Sequence, residues 1–239
     1  MMKTSLFRLF IFTVLITVPS YLMADVYLVS VGISDYPGVQ NDLKLPAKDA
    51  ADIAALYRTN TKSHVILIKN SDATKDNIVR QMNQLFSKAG KDDIIVMFYS
   101  GHGTPGAFCA YDDNLPYDDV RKAMAKSKSR NKMIFADACF SGKIREDGHS
   151  RPDSKLNVML FLSSRSNEYS IESASMKNGH FTACLLRCLK GGADKDKNRT
   201  ITAKELFKGV SDGVKALSND KQHPVMWGNF PDDMPVMIW

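Results

Sequence analysis

Ile94-Ile95-Val96-Met97-Phe98-Tyr99-Ser100-Gly101-His102-Gly103 decides the reading of this chain. Residues 94–98 are apolar without interruption, so no polar face exists, and such a run reads as a strand buried on both sides of a parallel sheet. It ends by delivering a histidine between two glycines. A second segment repeats the plan: Met133-Ile134-Phe135-Ala136 runs into Asp137-Ala138-Cys139-Phe140-Ser141-Gly142. In open α/β sheets, function gathers at the carboxyl ends of strands. An imidazole and a thiol therefore leave two strand ends, separated by a helix-length spacer. A thiol is a nucleophile only as thiolate, and a nearby histidine is the usual way to generate one. His102 and Cys139 are the predicted dyad of a cysteine hydrolase.

Outward from these strands the chain alternates strand and helix. Residues 26–33 read as a first strand, entering a turn rich in Gly, Asp and Pro. Pro46 opens a helix with Ala50, Ile53, Ala54 and Tyr57 on one face, proline being well placed at a first helical position. A strand at 64–68 and a helix at 72–88, with Ile78, Met82 and Leu85 inward, precede the His102 strand. A helix at 117–126 and a strand at 158–162 bracket the Cys139 strand. Phe181, Cys184, Leu185, Cys188 and Leu189 share one helix face, and Leu206, Val210, Val214 and Leu217 mark a last amphipathic helix. This alternation demands right-handed crossovers and a parallel sheet covered on both faces: an α/β fold, read as a three-layer α/β/α sandwich with a mostly parallel central sheet.

The 239 residues, 44% of them apolar, suffice for one sizeable core, and residues 25–239 are expected to form a single domain. Residues 1–24 have the layout of a secretory signal: Lys3 and Arg8, an apolar stretch at 9–18, then a cleavage point after Ala24. The chain is thus expected to be exported, periplasmic or extracellular. Leu22 stands where a small residue is preferred, which leaves an uncleaved membrane anchor as the alternative. Net charge is +6, and loss of Lys3 and Arg8 lowers it by two. Lys122, Lys126, Lys128, Arg130 and Lys132 lack interleaved aromatics and read as a solvated face, so no nucleic-acid partner is expected. Cys184, Cys188 and Cys109 read as core thiols rather than disulfide partners. No Gly-x-Gly-x-x-Gly opens a helix after the first strand, which argues against a nucleotide binder.

The glycine-flanked His102, the helical spacer and Asp137-Ala138-Cys139-Phe140-Ser141-Gly142 resemble the caspase-like cysteine peptidases, within them the metacaspase-like branch of bacteria and other non-animals. The likeness extends from Gly32-Ile33-Ser34-Asp35-Tyr36 to His223-Pro224-Val225. The animal caspase signature Gln-Ala-Cys-x-Gly, with its histidine about 50 residues upstream, is not matched. The resemblance implies a cysteine endopeptidase in which Cys139 attacks the scissile carbonyl. His102 serves as base toward the thiol and as acid toward the leaving amine. The backbone N–H groups of Gly103 and Cys139 form the oxyanion hole. It requires no third triad member. It further implies that Asp137, with Asp49 as second acid, lines the pocket for the residue before the cut, favouring Arg or Lys. Leu43 and Glu172 stand near the positions where animal caspases place arginines, so cleavage after Asp is not expected. The plainer alternatives are a first-turn helix acid for Asp49 and a loop-capping group for Asp137.

No cofactor is required on this reading, and calcium is at most an activator. Asp112, Asp113 and Glu146 resemble, by rough spacing, acids that bind activating calcium in some metacaspases. Asp194, Asp196, Asn198, Thr200 and Glu205 fall at positions 1, 3, 5, 7 and 12 of an EF-hand loop, but Arg199 stands where the sharp turn wants glycine. Thr202 and Glu205 also read as a capping box. The basic stretch at 143–155 suggests a self-processing loop. The expected partner is a polypeptide substrate, and the expected state a monomer with no membrane contact beyond a possible N-terminal anchor. The alternative reading is a catalytically inactive caspase-like module that binds peptides or partner proteins.

Overall fold

The computed structural model describes residues 24–138, 158–164 and 177–238. The signal or anchor segment, Cys139, Glu146, the basic stretch at 143–155 and Glu172 therefore lie outside the described residues. Six strands form the central sheet: β1 (Val26–Gly32), β2 (Ser63–Lys69), β3 (Ile94–Ser100), β7 (Asn131–Asp137), β8 (Val158–Leu162) and β10 (Val225–Trp227), in spatial order β2-β1-β3-β7-β8-β10. The first five pair in parallel and β10 closes the edge antiparallel. The continuous apolar runs of β1, β3, β7 and β8 are buried nearly throughout, as strands covered on both faces must be.

Residue parity divides the core in two. Tyr27, Val29 and Val31 of β1 face α2 (Lys75–Phe86) and α3 (Tyr117–Ala125), which contribute Ile78, Met82, Leu85, Val120 and Met124. Val26 and Leu28 face α1 (Pro46–Tyr57), α4 (His180–Arg187) and α5 (Ala203–Leu217), through Ile53, Phe181, Leu185, Leu206 and Val210. This is the three-layer sandwich expected from the alternation. Pro46 opens α1, Thr74 caps α2 through its side chain, and Thr202 with Glu205 forms the capping box of α5.

Several expectations need correction. Leu217, assigned to the inward face of α5, is 45% exposed: it is the last residue of the helix, where the core no longer reaches. Cys109 is half-buried rather than core, because it lies on β5 (Ala107–Cys109) of a small sheet outside the main one, with β4 (Gly103–Thr104) and β6 (Asn114–Pro116). The helix expected from residue 72 begins at Lys75, after a 3-10 turn at Asn70–Asp72. Cys184 and Cys188 are buried as expected.

β1 ends in a glycine for a steric reason. A Cβ at Gly32 would run into the Pro46 carbonyl and lie 2.6 Å from Ala50 Cβ, so α1 packs on β1 only where no side chain intervenes. Gly32→Ala should therefore destabilise the fold by about 1–3 kcal/mol, the usual cost of overpacking, read from denaturant unfolding.

Candidate active site

The strand order places a crevice beside His102. β1 and β3 are neighbours, yet the chain leaving β1 enters α1 on one face while the chain leaving β3 reaches α3 on the other. Such divergence opens a cleft at the carboxyl ends, where open α/β sheets bind ligands. His102 follows β3 directly and meets the loop that follows β1. Its Nε2 lies 2.8 Å from the carbonyl oxygen of Asn41, in the 3-10 turn Val39–Asn41. A carbonyl only accepts, so this partner assigns the ring proton to Nε2 and leaves Nδ1 as the basic nitrogen. The ring also lies against Tyr36, centroids 4.9 Å apart and planes tilted by 46°. Gly103 begins β4 and pairs with Phe108.

The described chain runs to Ala138, the residue before Cys139. Ala138 is held at both backbone groups by one hydroxyl: its N–H donates to Ser163 Oγ at 3.2 Å, and Ser163 Oγ donates to its carbonyl at 3.3 Å. Ser163 is itself fixed from the far end of the chain, where Gln222 Nε2 donates to its carbonyl at 2.8 Å. The strand that leads to Cys139 is therefore anchored up to the peptide before the thiol. Cys184 and Cys188 are unlike a nucleophile: burial pushes the Cys184 thiol up to about 11 against the opposing effect of Arg187, and raises Cys188 in the same way.

Asp49 and Asp137 come together. The parallel register aligns Gly32, Ser100 and Asp137 in one row, and the parity that sends Phe98 and Phe135 toward α1 and α4 sends Ser100 and Asp137 the same way. Ser100 Oγ donates to Asp49 Oδ2 at 3.0 Å. Asn178 Nδ2 donates to Asp49 Oδ1 at 2.9 Å and to Asp52 Oδ2 at 2.8 Å, and the Gly179 N–H adds a 3.3 Å bond to Asp49 Oδ1. Asp137 Oδ2 accepts from the N–H and the hydroxyl of Thr182, at 3.2 and 2.8 Å. Both carboxylates thus face the N-terminus of α4, whose N–H groups and dipole favour negative charge. Gly179 sits between them: a Cβ there would lie 2.6 Å from Asp137 Oδ2 and 3.4 Å from Asp49 Oδ2. Asp49 is also a first-turn acid of α1, so that plainer role and the pairing coexist.

The pair is costly. Asp49 is 1% exposed and Asp137 6%. Desolvation, then the neighbouring Asp137, pushes the Asp49 carboxyl far up, to about 8, against the lowering effect of its donors Asn178, Ser100 and Gly179. A cation entering this space would relieve both causes at once. Asn178, Thr182, Ser163 and the Asn41 carbonyl were not singled out in the sequence; isolated polar residues and backbone oxygens carry no local signature.

The candidate calcium acids are less coherent. Asp112 Oδ1 accepts the Lys75 N–H at 2.8 Å and Asp113 Oδ1 accepts the Asn114 N–H at 2.7 Å, while Glu146 lies outside the described residues. Among the described residues, Asp194, Asp196 and Glu205 could present one donor oxygen each within 4.8 Å of one another. Those oxygens already accept backbone N–H groups: Asn198 donates to Asp194 and Asp196, and Lys195 and Thr202 donate to Glu205.

A mostly parallel six-stranded sheet between helical layers, with His102 at the switch point, defines a caspase-type α/β/α sandwich. The family model for the caspase domain matches residues 27–234, and the chain belongs to that family, whose fold is that of cysteine peptidases. Among solved structures, protein GSU0716 from Geobacter sulfurreducens is similar, with a TM-score of 0.68 over 89% of this chain and 97% of that one. Identity is 18%, so this likeness is one of fold. No curated protein matches the chain.

The buried acid pair has a signature in stability. An unfolded Asp titrates near 4, whereas Asp49 in the fold titrates near 8. Between those values the folded chain holds a proton that the unfolded chain has released, so stability falls as pH rises through this window. Asp49→Asn keeps the hydrogen-bonding shape without the charge. Its Tm should exceed that of the parent by a few degrees at pH 8 and converge on it near pH 4; a gap independent of pH would contradict the assignment.

Proposed function

We propose that this protein is a cysteine endopeptidase that cleaves polypeptides after Arg or Lys. The observation that carries the reading is the pair of buried carboxylates, Asp49 and Asp137, at the carboxyl edge of the sheet that also bears His102 and leads to Cys139. A substrate guanidinium or ammonium entering between them would be held by charge-assisted hydrogen bonds to both carboxylates, which is the chemistry a pocket for Arg or Lys needs.

In this mechanism the substrate side chain enters between the two acids, which orients the scissile carbonyl toward the cleft. Nδ1 of His102 takes the thiol proton of Cys139, and the thiolate attacks the carbonyl carbon. The oxyanion that forms is received by the backbone N–H groups of Gly103 and Cys139, a type of stabilisation worth about 2.7–4 kcal/mol per donor. His102 then gives its Nδ1 proton to the leaving amine as the tetrahedral adduct collapses to a thioester. Water, activated by the same nitrogen, hydrolyses the acyl-enzyme and restores the thiol. The Asn41 carbonyl acts throughout by holding Nε2–H, so that the ring presents Nδ1 and carries its transient charge beside an acceptor. No cofactor is required, and calcium is at most an activator.

Fluorogenic peptides ending in Arg, Lys or Asp test the reading, with the chain from residue 25 and with or without millimolar calcium. Arg and Lys peptides should be cut and Asp peptides not. Cys139→Ala should abolish cleavage by at least ~10³-fold. Asp137→Asn should lower kcat/KM for Arg peptides at least about tenfold. Because a bound guanidinium displaces the Asp49 proton, KM for an Arg peptide should fall as pH rises from 6 to 8, and Asp49→Asn should flatten that slope. A folded chain that cuts none of these peptides, yet binds them, would instead support the catalytically inactive peptide-binding module.

A further inference from the structure

We propose that Tyr36 is the positioning residue of His102; the inference rests on reading His102 as the catalytic base. Tyr36 lies in the loop after β1, remote in sequence from the histidine, and is 8% exposed. It reaches His102 in three ways. Its hydroxyl accepts the His102 backbone N–H at 2.9 Å. Its ring lies against the imidazole. Its own N–H donates to Asp42 Oδ1 at 3.0 Å, tying it to the residue after Asn41, whose carbonyl holds Nε2.

The next peptide unit, which carries the His102 carbonyl, is secured from β3. Tyr99 Oη shares its proton between the His102 carbonyl at 2.8 Å and the Cys109 carbonyl at 2.7 Å, and the His102 carbonyl also accepts the Cys109 N–H at 3.0 Å. The Tyr36 hydroxyl, having accepted from His102, keeps its own proton for the Cys109 carbonyl at 3.2 Å. The two hydroxyls sit 3.3 Å apart beneath the turn, where a Cβ at Gly101 would come within 2.6 and 2.8 Å of them. This explains why a glycine precedes the histidine: it makes room for the hydroxyls that clamp the next peptide. Burial pushes the Tyr36 hydroxyl up to about 12, so it stays protonated and keeps both its roles across the working pH range.

Removal of the Tyr36 hydroxyl leaves the His102 N–H without its acceptor and frees the turn that aims the ring. The bond acts on the orientation of Nδ1 rather than on substrate, so its loss should appear in kcat and not in KM. Tyr36→Phe should lower kcat for an Arg peptide about tenfold with KM within twofold, and Tyr99→Phe should give the same split. Tyr57→Phe is the control, since the Tyr57 hydroxyl is fully buried on α1, has no hydrogen-bond partner among the described residues and lies outside this network. A second readout is the side-chain ¹⁵N spectrum of the five histidines. The His102 signal, identified by its loss in His102→Gln, should report the Nε2–H tautomer in the parent and a mixed population in Tyr36→Phe, the other four being unchanged. An active parent whose Tyr36→Phe variant keeps full kcat overturns the proposal and leaves the catalytic reading intact. An inactive parent defeats the catalytic reading, and the positioning role then stands or falls on the spectrum: an unchanged His102 tautomer refutes it. Should Tyr36→Phe not fold, Tyr99→Phe carries the same kcat and tautomer criteria.

Discussion

The parallel register of β1, β3 and β7 is the constraint on which the rest depends. It aligns Gly32, Ser100 and Asp137 in one row at the carboxyl edge. Because side chains alternate between faces, the same register sends Ser100 and Asp137 toward α1 and α4 while Tyr99 points to the opposite layer. A slip of one residue in any of these strands would exchange the faces. The acid pair would be broken up, Tyr99 would leave the peptide it clamps, and buried apolar residues would trade places with polar ones. The two hydrophobic layers that exclude such a slip are thus also what places the polar groups of the site.

The polar row illustrates how a fold can hold charge where it is least stable. The described donors to Asp49 and Asp137 are neutral: Asn178, Ser100, Thr182 and the first N–H groups of α4. Neutral donors reduce the penalty of burial without cancelling it, which is why the Asp49 carboxyl still titrates so high. The neighbouring Asp52 differs in this respect. It is more exposed, and against the desolvation that remains, its bonds to Lys48 one helical turn away and to Asn178 hold its carboxyl below the usual range.

Much of the fold was legible because burial on both faces leaves a blunt mark. The unbroken apolar runs of β1, β3, β7 and β8, and the spacing of Ile53, Ile78, Phe181 and Val210, need no tertiary information to be read. The short strands around residues 103–116 were not legible. They are two or three residues long and lie among Gly, Pro and Asp, where neither period can develop. Leu217 was misassigned because helical periodicity does not say where the core stops. At the site, His102 and the acids stood out as chemistry-bearing residues at strand ends or a helix start. Their partners did not, since Asn178, Thr182 and Ser163 acquire meaning only from contacts made across long stretches of chain, and the Asn41 acceptor is a backbone oxygen that every residue possesses.

The span of those contacts has a consequence for the order of assembly. Asn178 meets Asp49 across 129 positions, and Thr182 meets Asp137 across 45. Loops of that length close late, after the local turns and the helix-to-strand packing they depend on. During synthesis from the N-terminus, β1, α1, β3 and β7 emerge while the donors of α4 are still to be made. The nascent chain therefore carries its two carboxylates in water, unpaired and apart, and the space between them comes into being only when α4 docks. Whatever that space does is confined to the finished molecule.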